Sequence, residues 1–125
     1  MANRLTWALL VLWASTVLSL NAQESAADQA HFNEIKARAD KGDAEAQIEL
    51  AAVYARSGAP RDLSKAAKLH RKAAEQANPR GECLLGLDYA NGVGVKKNMT
   101  EAVRWLGKAA RLLMGFAYFC FSLFF

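Results

Sequence analysis

Residues 85–110 read Leu85-Gly86-Leu87-Asp88-Tyr89-Ala90-Asn91-Gly92-Val93-Gly94-Val95-Lys96-Lys97-Asn98-Met99-Thr100-Glu101-Ala102-Val103-Arg104-Trp105-Leu106-Gly107-Lys108-Ala109-Ala110. An earlier stretch of the chain carries the same pattern. Leu50-Ala51-Ala52-Val53-Tyr54 stands 35 residues before Leu85-Gly86-Leu87-Asp88-Tyr89. Lys65-Ala66 stands 36 residues before Glu101-Ala102, and Lys72-Ala73-Ala74 stands 36 before Lys108-Ala109-Ala110. The first unit is one residue shorter in its loop, between Tyr54 and Asp62. A fixed period of this length is the mark of a repeat architecture in which each unit is one supersecondary motif.

Each unit reads as two helices. Asp43 caps a helix from Ala44 to about Ser57, with Gln47, Leu50, Ala51 and Tyr54 on one face at helical spacing. Gly58-Ala59-Pro60 breaks it. Asp62 is expected to cap a second helix running to about Gln76, with Ala66, Ala67, His70, Ala73 and Ala74 inward. In the second unit Asn78 is a cap, with Pro79 at the first helical position. That helix turns Leu85, Gly86 and Tyr89 inward and stops at Asn91-Gly92. Asn98, with Glu101 three residues on, makes a start like a capping box for a last helix that presents Ala102, Val103, Leu106, Ala109 and Ala110. Upstream, Phe32, Ile35 and Ala39 predict a leading helix or partial repeat over 23–38. Small residues at Ala46, Gly81 and Gly86 let helices approach closely, and Leu50, Leu85, Tyr54 and Tyr89 fill the spaces between.

The second unit, Leu85-Gly86-x-x-Tyr89-x-x-Gly92-x-Gly94-Val95 followed by Glu101-Ala102-x-x-Trp105-x-x-Lys108-Ala109-Ala110, resembles a Sel1-like repeat. Gly42-Asp43-Ala44-x-Ala46-Gln47-x-x-Leu50 resembles the opening of a preceding one. The resemblance covers about 39–111, with units at 39–76 and 77–111. Its repeat-defining positions are Leu50, Tyr54, Ala66, Ala73, Ala74, Leu85, Gly86, Tyr89, Gly92, Gly94, Ala102, Trp105, Ala109 and Ala110. The first unit departs in its loop, where Ser57-Gly58-Ala59-Pro60 replaces Gly-x-Gly-Val, and at Leu69-His70, which replace an aromatic pair. The resemblance implies an all-α fold, a short right-handed α-solenoid of antiparallel helix pairs related to tetratricopeptide repeats. It also implies a scaffold for protein complexes without catalysis.

The residues themselves offer little chemistry. His31 and His70 are the two histidines, and neither has a Ser or Cys three or four residues on to make a nucleophile–base pair on a shared face. His70 is read as a packed or hydrogen-bonded core histidine. No His/Cys/Asp/Glu spacing fits a metal site, and no cofactor is expected. Gly92-Val93-Gly94-Val95 lacks the Lys-Ser/Thr and the preceding strand of a phosphate loop. Asn98-Met99-Thr100 matches a glycosylation acceptor, but a helix cap explains it. Cys83 and Cys120 lie in segments with no evident reason to meet and are read as free thiols, although export would permit disulfides. Candidate partner-binding residues lie on the first helix of each unit, beside the core stripe. They are Glu49, Ala52 and Arg56, then Leu84, Leu87 and Asn91. In helical solenoids such faces commonly line the concave surface.

The two ends differ from this body. Of 125 residues 53% are apolar, but residues 1–22 hold 15 of the apolar ones and 112–125 hold 12. The 89 between hold 39, of which 20 are alanine. Residues 1–22 pair Arg4 with an uncharged run from Leu5 to Leu20 and a small residue, Ala22, before Gln23. This is the pattern of a secretory signal peptide, with an uncleaved membrane anchor as the other reading. Export places the protein in the periplasm or outside the cell if bacterial, and in the secretory pathway if eukaryotic. It also argues against nucleic acid as a partner. The segment 112–125 holds five of the six phenylalanines. At ~21 Å as a helix it falls short of the ~30 Å hydrocarbon core. It reads as the accidental end of a clipped array, as a cap over the last repeat, or as a tail that associates with membrane. Net charge is +4. From Leu63 to Arg111 there are ten bases and four acids. Lys65, Lys68, Lys72, Arg104, Lys108 and Arg111 fall on helical faces, as a stripe for an acidic partner or anionic lipid, or as solvated outer faces.

Overall fold

A computed structural model describes the backbone over residues 3–124 and side chains over residues 3 and 5–111. The tail 112–125 and its Cys120 therefore lie outside the residues whose side chains are described. The chain is all-helical, with α1 Asn3–Asp40, α2 Ala44–Arg56, α3 Pro60–Glu75, α4 Pro79–Asn91 and α5 Met99–Phe124. It divides into two units, Met1–Glu34 and Ile35–Phe125. The first is helical, with Leu9, Leu10, Val11, Leu12 and Trp13 all exposed. Its apolar stretch is long enough to cross a membrane, a property shared by signal sequences.

The second unit is built from short connections between helices that pack in chain order, α2 on α3, α3 on α4 and α4 on α5. Local chemistry sets each boundary. The Asp43 carboxylate accepts from the Glu45 and Ala46 amides at 3.0 and 3.2 Å, satisfying two of the four donors a helix start leaves open. Asn78 does the same for α4 by accepting from the Gly81 amide at 3.0 Å, with Pro79 following it. Gly92 ends α4 in the left-handed region at φ 69°.

Two helix starts differ from expectation. Asp62 does not cap α3, because the helix begins at Pro60 with Ala59 extended before it. Proline's fixed φ suits the first helical position, and its missing N–H is one the helix leaves unbonded there. Asp62 instead sits in the first turn, accepting from the Ser57 hydroxyl at 2.8 Å and the Lys65 ammonium at 3.0 Å. Those bonds, that of Lys65 first, hold its carboxyl below the usual carboxylate range. At α5 only half of the capping box forms. Asn98 Oδ1 accepts from the Glu101 amide at 3.1 Å, while the Glu101 carboxylate turns to Arg104 at 3.3 Å. The Asn98 amide needs no help from Glu101, since it donates to the Tyr89 carbonyl at 2.9 Å.

The core is small-residue packing around Leu85, which is fully buried. A Cβ on Gly86 would stand 2.7 Å from Leu106 Cγ, so the missing side chain is what lets α4 and α5 come together. In α3, which has neighbours on both sides, the pairs Ala66–Ala67 and Ala73–Ala74 are buried completely. Among the described residues of α5 only Ala102 and Ala109 are buried, while Val103 and Ala110, expected inward, are exposed. The reason is geometric. Among those residues α5 meets a partner helix, α4, along one side, so its buried stripe is half as wide.

Candidate functional site

All six candidate partner-binding residues lie on α2 and α4. Glu49, Ala52, Arg56, Leu87 and Asn91 are exposed and Leu84 is half-buried. Leu87 is 44% exposed and Val53 beside Ala52 is 36% exposed, so this face offers separate apolar contacts in a polar surround. Glu49 faces Arg38 at 4.0 Å, and the Asn91 amide donates back to the Leu87 carbonyl at 3.1 Å. Among the described residues no hydrogen bond or ion pair joins the α2 set to the α4 set.

What links the two repeats is a separate group of polar pairs. His70 Nδ1 and Asp88 Oδ2 are 2.6 Å apart, with only 11% and 13% of the two side chains exposed. His70 is thus a core histidine held by a hydrogen bond, and its partner Asp88 is a residue the sequence did not single out. One residue further on, Arg71 donates to the Tyr89 hydroxyl and lies over its ring. Asn78 donates to Glu45 at 2.8 Å and Arg80 pairs with the same carboxylate at 3.2 Å. Within the first repeat, Gln76 donates to buried Gln47 at 3.0 Å, and Gln47 donates to the Ala39 carbonyl at 3.3 Å. Glu82 occupies the position of Gln47 in the second repeat and is also buried. Its Oε2 has no hydrogen-bond partner among the described residues.

The second-repeat loop is seated on the first repeat. Gly94, at φ 68°, lies so close to α3 that a Cβ there would be 2.1 Å from the Leu63 carbonyl oxygen. Clefts flank this contact, one of about 390 Å³ beside Pro60, Leu63 and Lys96, the other of about 270 Å³ beside Ser64, Lys68 and Arg71. Among the described residues, no three His, Cys, Asp or Glu gather as a metal site. His31 is exposed and Cys83 is an exposed free thiol.

The family model of the Sel1 repeat matches residues 44–78 and 79–112, more than half of the sequence. The chain belongs to the Sel1 repeat family. Sel1 repeats generally mediate protein–protein interaction and are typically non-catalytic scaffolds. An uncharacterised protein of Neisseria meningitidis serogroup B is 42% identical over 62 residues, which are 50% of this chain and 13% of the relative. A protective antigen of uropathogenic Escherichia coli that displays an SLR fold superposes with a TM-score of 0.57 at 41% identity, over 63% of this chain and 17% of that one. A Sel1 repeat protein of Oxalobacter formigenes gives a TM-score of 0.53 at 36% identity, over 58% and 30% of the two chains. The Sel1 chain described here therefore spans a small part of each relative's length. The two superpositions support the Sel1 helical-hairpin fold over the part of the chain that each covers.

Proposed function

We propose that this protein is an exported helical-repeat scaffold, without catalysis of its own, that binds another protein through the first-helix face of its repeats. On this reading residues 1–22 are a signal peptide, 23–38 a leading helix or partial repeat, 39–76 and 77–111 the two Sel1 units, and 112–125 an atypical apolar tail. The observation that carries the proposal is the pairing of a Sel1 body with an N-terminal helix that exposes a run of large apolar side chains from Leu5 to Leu20. Glu49, Ala52, Arg56, Leu84, Leu87 and Asn91 are the contact residues, with Leu87 the main apolar one. The periplasm or the extracellular space is the compartment, in keeping with bacterial relatives. No cofactor takes part.

The membrane-spanning length of the leader supports a second reading, a small membrane-associated protein held by an uncleaved leader or by the tail. Fractionation separates the two. Release of the protein by osmotic wash, with mass spectrometry placing its N-terminus near Gln23, is the expected result. A requirement for detergent, with the leader retained, would refute the exported scaffold.

A further inference from the structure

The two repeats differ at one place in a way that leaves a hole in the first. At the period of 36, Leu69 corresponds to Trp105, Lys68 to Arg104, Lys72 to Lys108 and Lys65 to Glu101. In the second repeat the Trp105 ring is half-buried and carries two cations over it. The Arg104 guanidinium lies 5.6 Å and the Lys108 ammonium 4.2 Å from its centroid, and Glu101 pairs with Arg104. The site therefore has an aromatic ring, cations over it and one carboxylate to balance them.

In the first repeat the ring and that carboxylate are both replaced. Leu69, smaller than Trp, lines a cavity of about 240 Å³ with Leu50 and Tyr54. A cavity of about 150 Å³ holds a benzene molecule, so a six-membered or indole ring has room here. Four lysines, Lys36, Lys65, Lys68 and Lys72, stand around it against a single acid, Asp40. Lys65 bonds to Asp62 at 3.0 Å and lies 4.9 Å over the Tyr54 ring. Lys36, Lys68 and Lys72 have no ion-pair partner among the described residues. The lysines that correspond to the clamp on Trp105 thus frame an open apolar hole, with a net positive rim.

We propose that this groove is a binding site for an aromatic side chain flanked by carboxylates on an acidic peptide segment of a partner protein. The incoming ring takes the place that Trp105 fills in the second repeat, with Lys68 and Lys72 over it. The flanking carboxylates supply what Glu101 supplies there, pairing with Lys36, Lys68 and Lys72. The site is formed by the end of α1, α2 and α3, and is distinct from the candidate face of Leu84 and Leu87. It takes from the scaffold reading only that the ligand is a polypeptide.

The test uses the full chain and a fluorescein-labelled peptide bearing one Trp between pairs of Glu, followed by fluorescence anisotropy. Saturable binding is expected, weakened about tenfold or more when Ala replaces the peptide Trp or Lys replaces its Glu residues. Leu69→Trp, which fills the hole from within, is expected to abolish binding. The double variant Lys68→Glu/Lys72→Glu, at exposed positions, should do the same, with circular dichroism confirming that both variants keep their helices. Val103→Glu, at an exposed position on α5 outside both surfaces, should bind as the parent does.

Absence of saturable binding, or undiminished binding by Leu69→Trp, overturns the proposal. Loss with Leu87→Glu alone would move recognition to the first-helix face, refuting the groove while leaving the scaffold intact. Two further outcomes refute the acidic peptide as occupant. One is self-association without peptide that Leu69→Trp abolishes, giving the groove to a second copy. The other is binding to phosphatidylglycerol vesicles that is lost in the Lys variant but kept in Leu69→Trp, giving the rim to lipid.

Discussion

Gly94→Ala and Gly58→Ala place the same methyl group on almost the same backbone and should have different consequences. Gly94 has φ 68° and Gly58 φ 67°, so the left-handed penalty of about 1–2 kcal/mol is common to both. The gain from a stiffer unfolded chain is also common to both. Surroundings separate them. A Cβ at Gly58 meets nothing within 4 Å, whereas one at Gly94 meets the Leu63 carbonyl oxygen at 2.1 Å, its carbon at 2.6 Å and the Ser64 amide nitrogen at 3.0 Å. All three are backbone atoms of α3, so no rotamer change relieves the overlap and the loop must lift from the helix. Overpacking of this kind costs about 1–3 kcal/mol. At roughly 4–8 °C per kcal/mol for a domain of this size, Gly94→Ala should melt on the order of 10 °C below Gly58→Ala. Thermal unfolding of both variants followed by circular dichroism measures the gap. Equal melting temperatures would refute the seating of the Gly92–Lys97 loop on α3.

Asp43→Asn keeps a cap acceptor but loses the charge that meets Arg38 at 2.8 Å. The Arg38 hydrogen bond first, then the Ala46 amide, hold the Asp43 carboxyl below its usual range. Its contribution is therefore present above the unfolded value of about 4 and lost as pH falls through the lower folded value. Urea midpoints of the two proteins should differ at neutral pH and converge in acid, and a gap that persists in acid would contradict this. Asp88→Ala should cost about 1–3 kcal/mol by leaving buried His70 without its partner, with Asp88→Asn recovering part of that loss in urea titration. No change with either variant would show that the pair does not join the repeats.

Much of the fold was written in local chemistry. Asp43, Asn78 and Gly92 act within four residues of themselves, and all three serve as their types predict. The Gly58-Ala59-Pro60 break ends α2 as expected, but the cap assigned to Asp62 fails because proline starts helices as well as ending them. Only the extended backbone of Ala59 decides between the two. The inward assignment of Val103 and Ala110 failed for a different reason. Periodicity identifies a face, but how wide a face is buried depends on how many neighbours the helix has. The His70–Asp88 bond spans 18 residues and two helices, a separation at which sequence spacing carries no geometric constraint. The candidate face of α2 and α4 was legible as exposed positions. The replacement of an aromatic residue by Leu69 was legible in the repeat register. The cavity it leaves and the lysines from α1 and α3 around it depend on the packing of three helices.

The polar pairs at the repeat junction give the array a direction. Repeat units are commonly regarded as exchangeable beads, yet these two are addressed to one another. Were the first unit duplicated in tandem, Val53 would fall where Asp88 stands, and His70 would face an alkyl group. Glu45 would fall where Arg80 stands, setting carboxylate against carboxylate. Lengthening this scaffold by simple copying is therefore penalised at every new seam, and copying the second unit fares no better: it sets Leu106 against Asp88 and Arg80 against another Arg80. The seam, more than either hairpin, records which repeat precedes which.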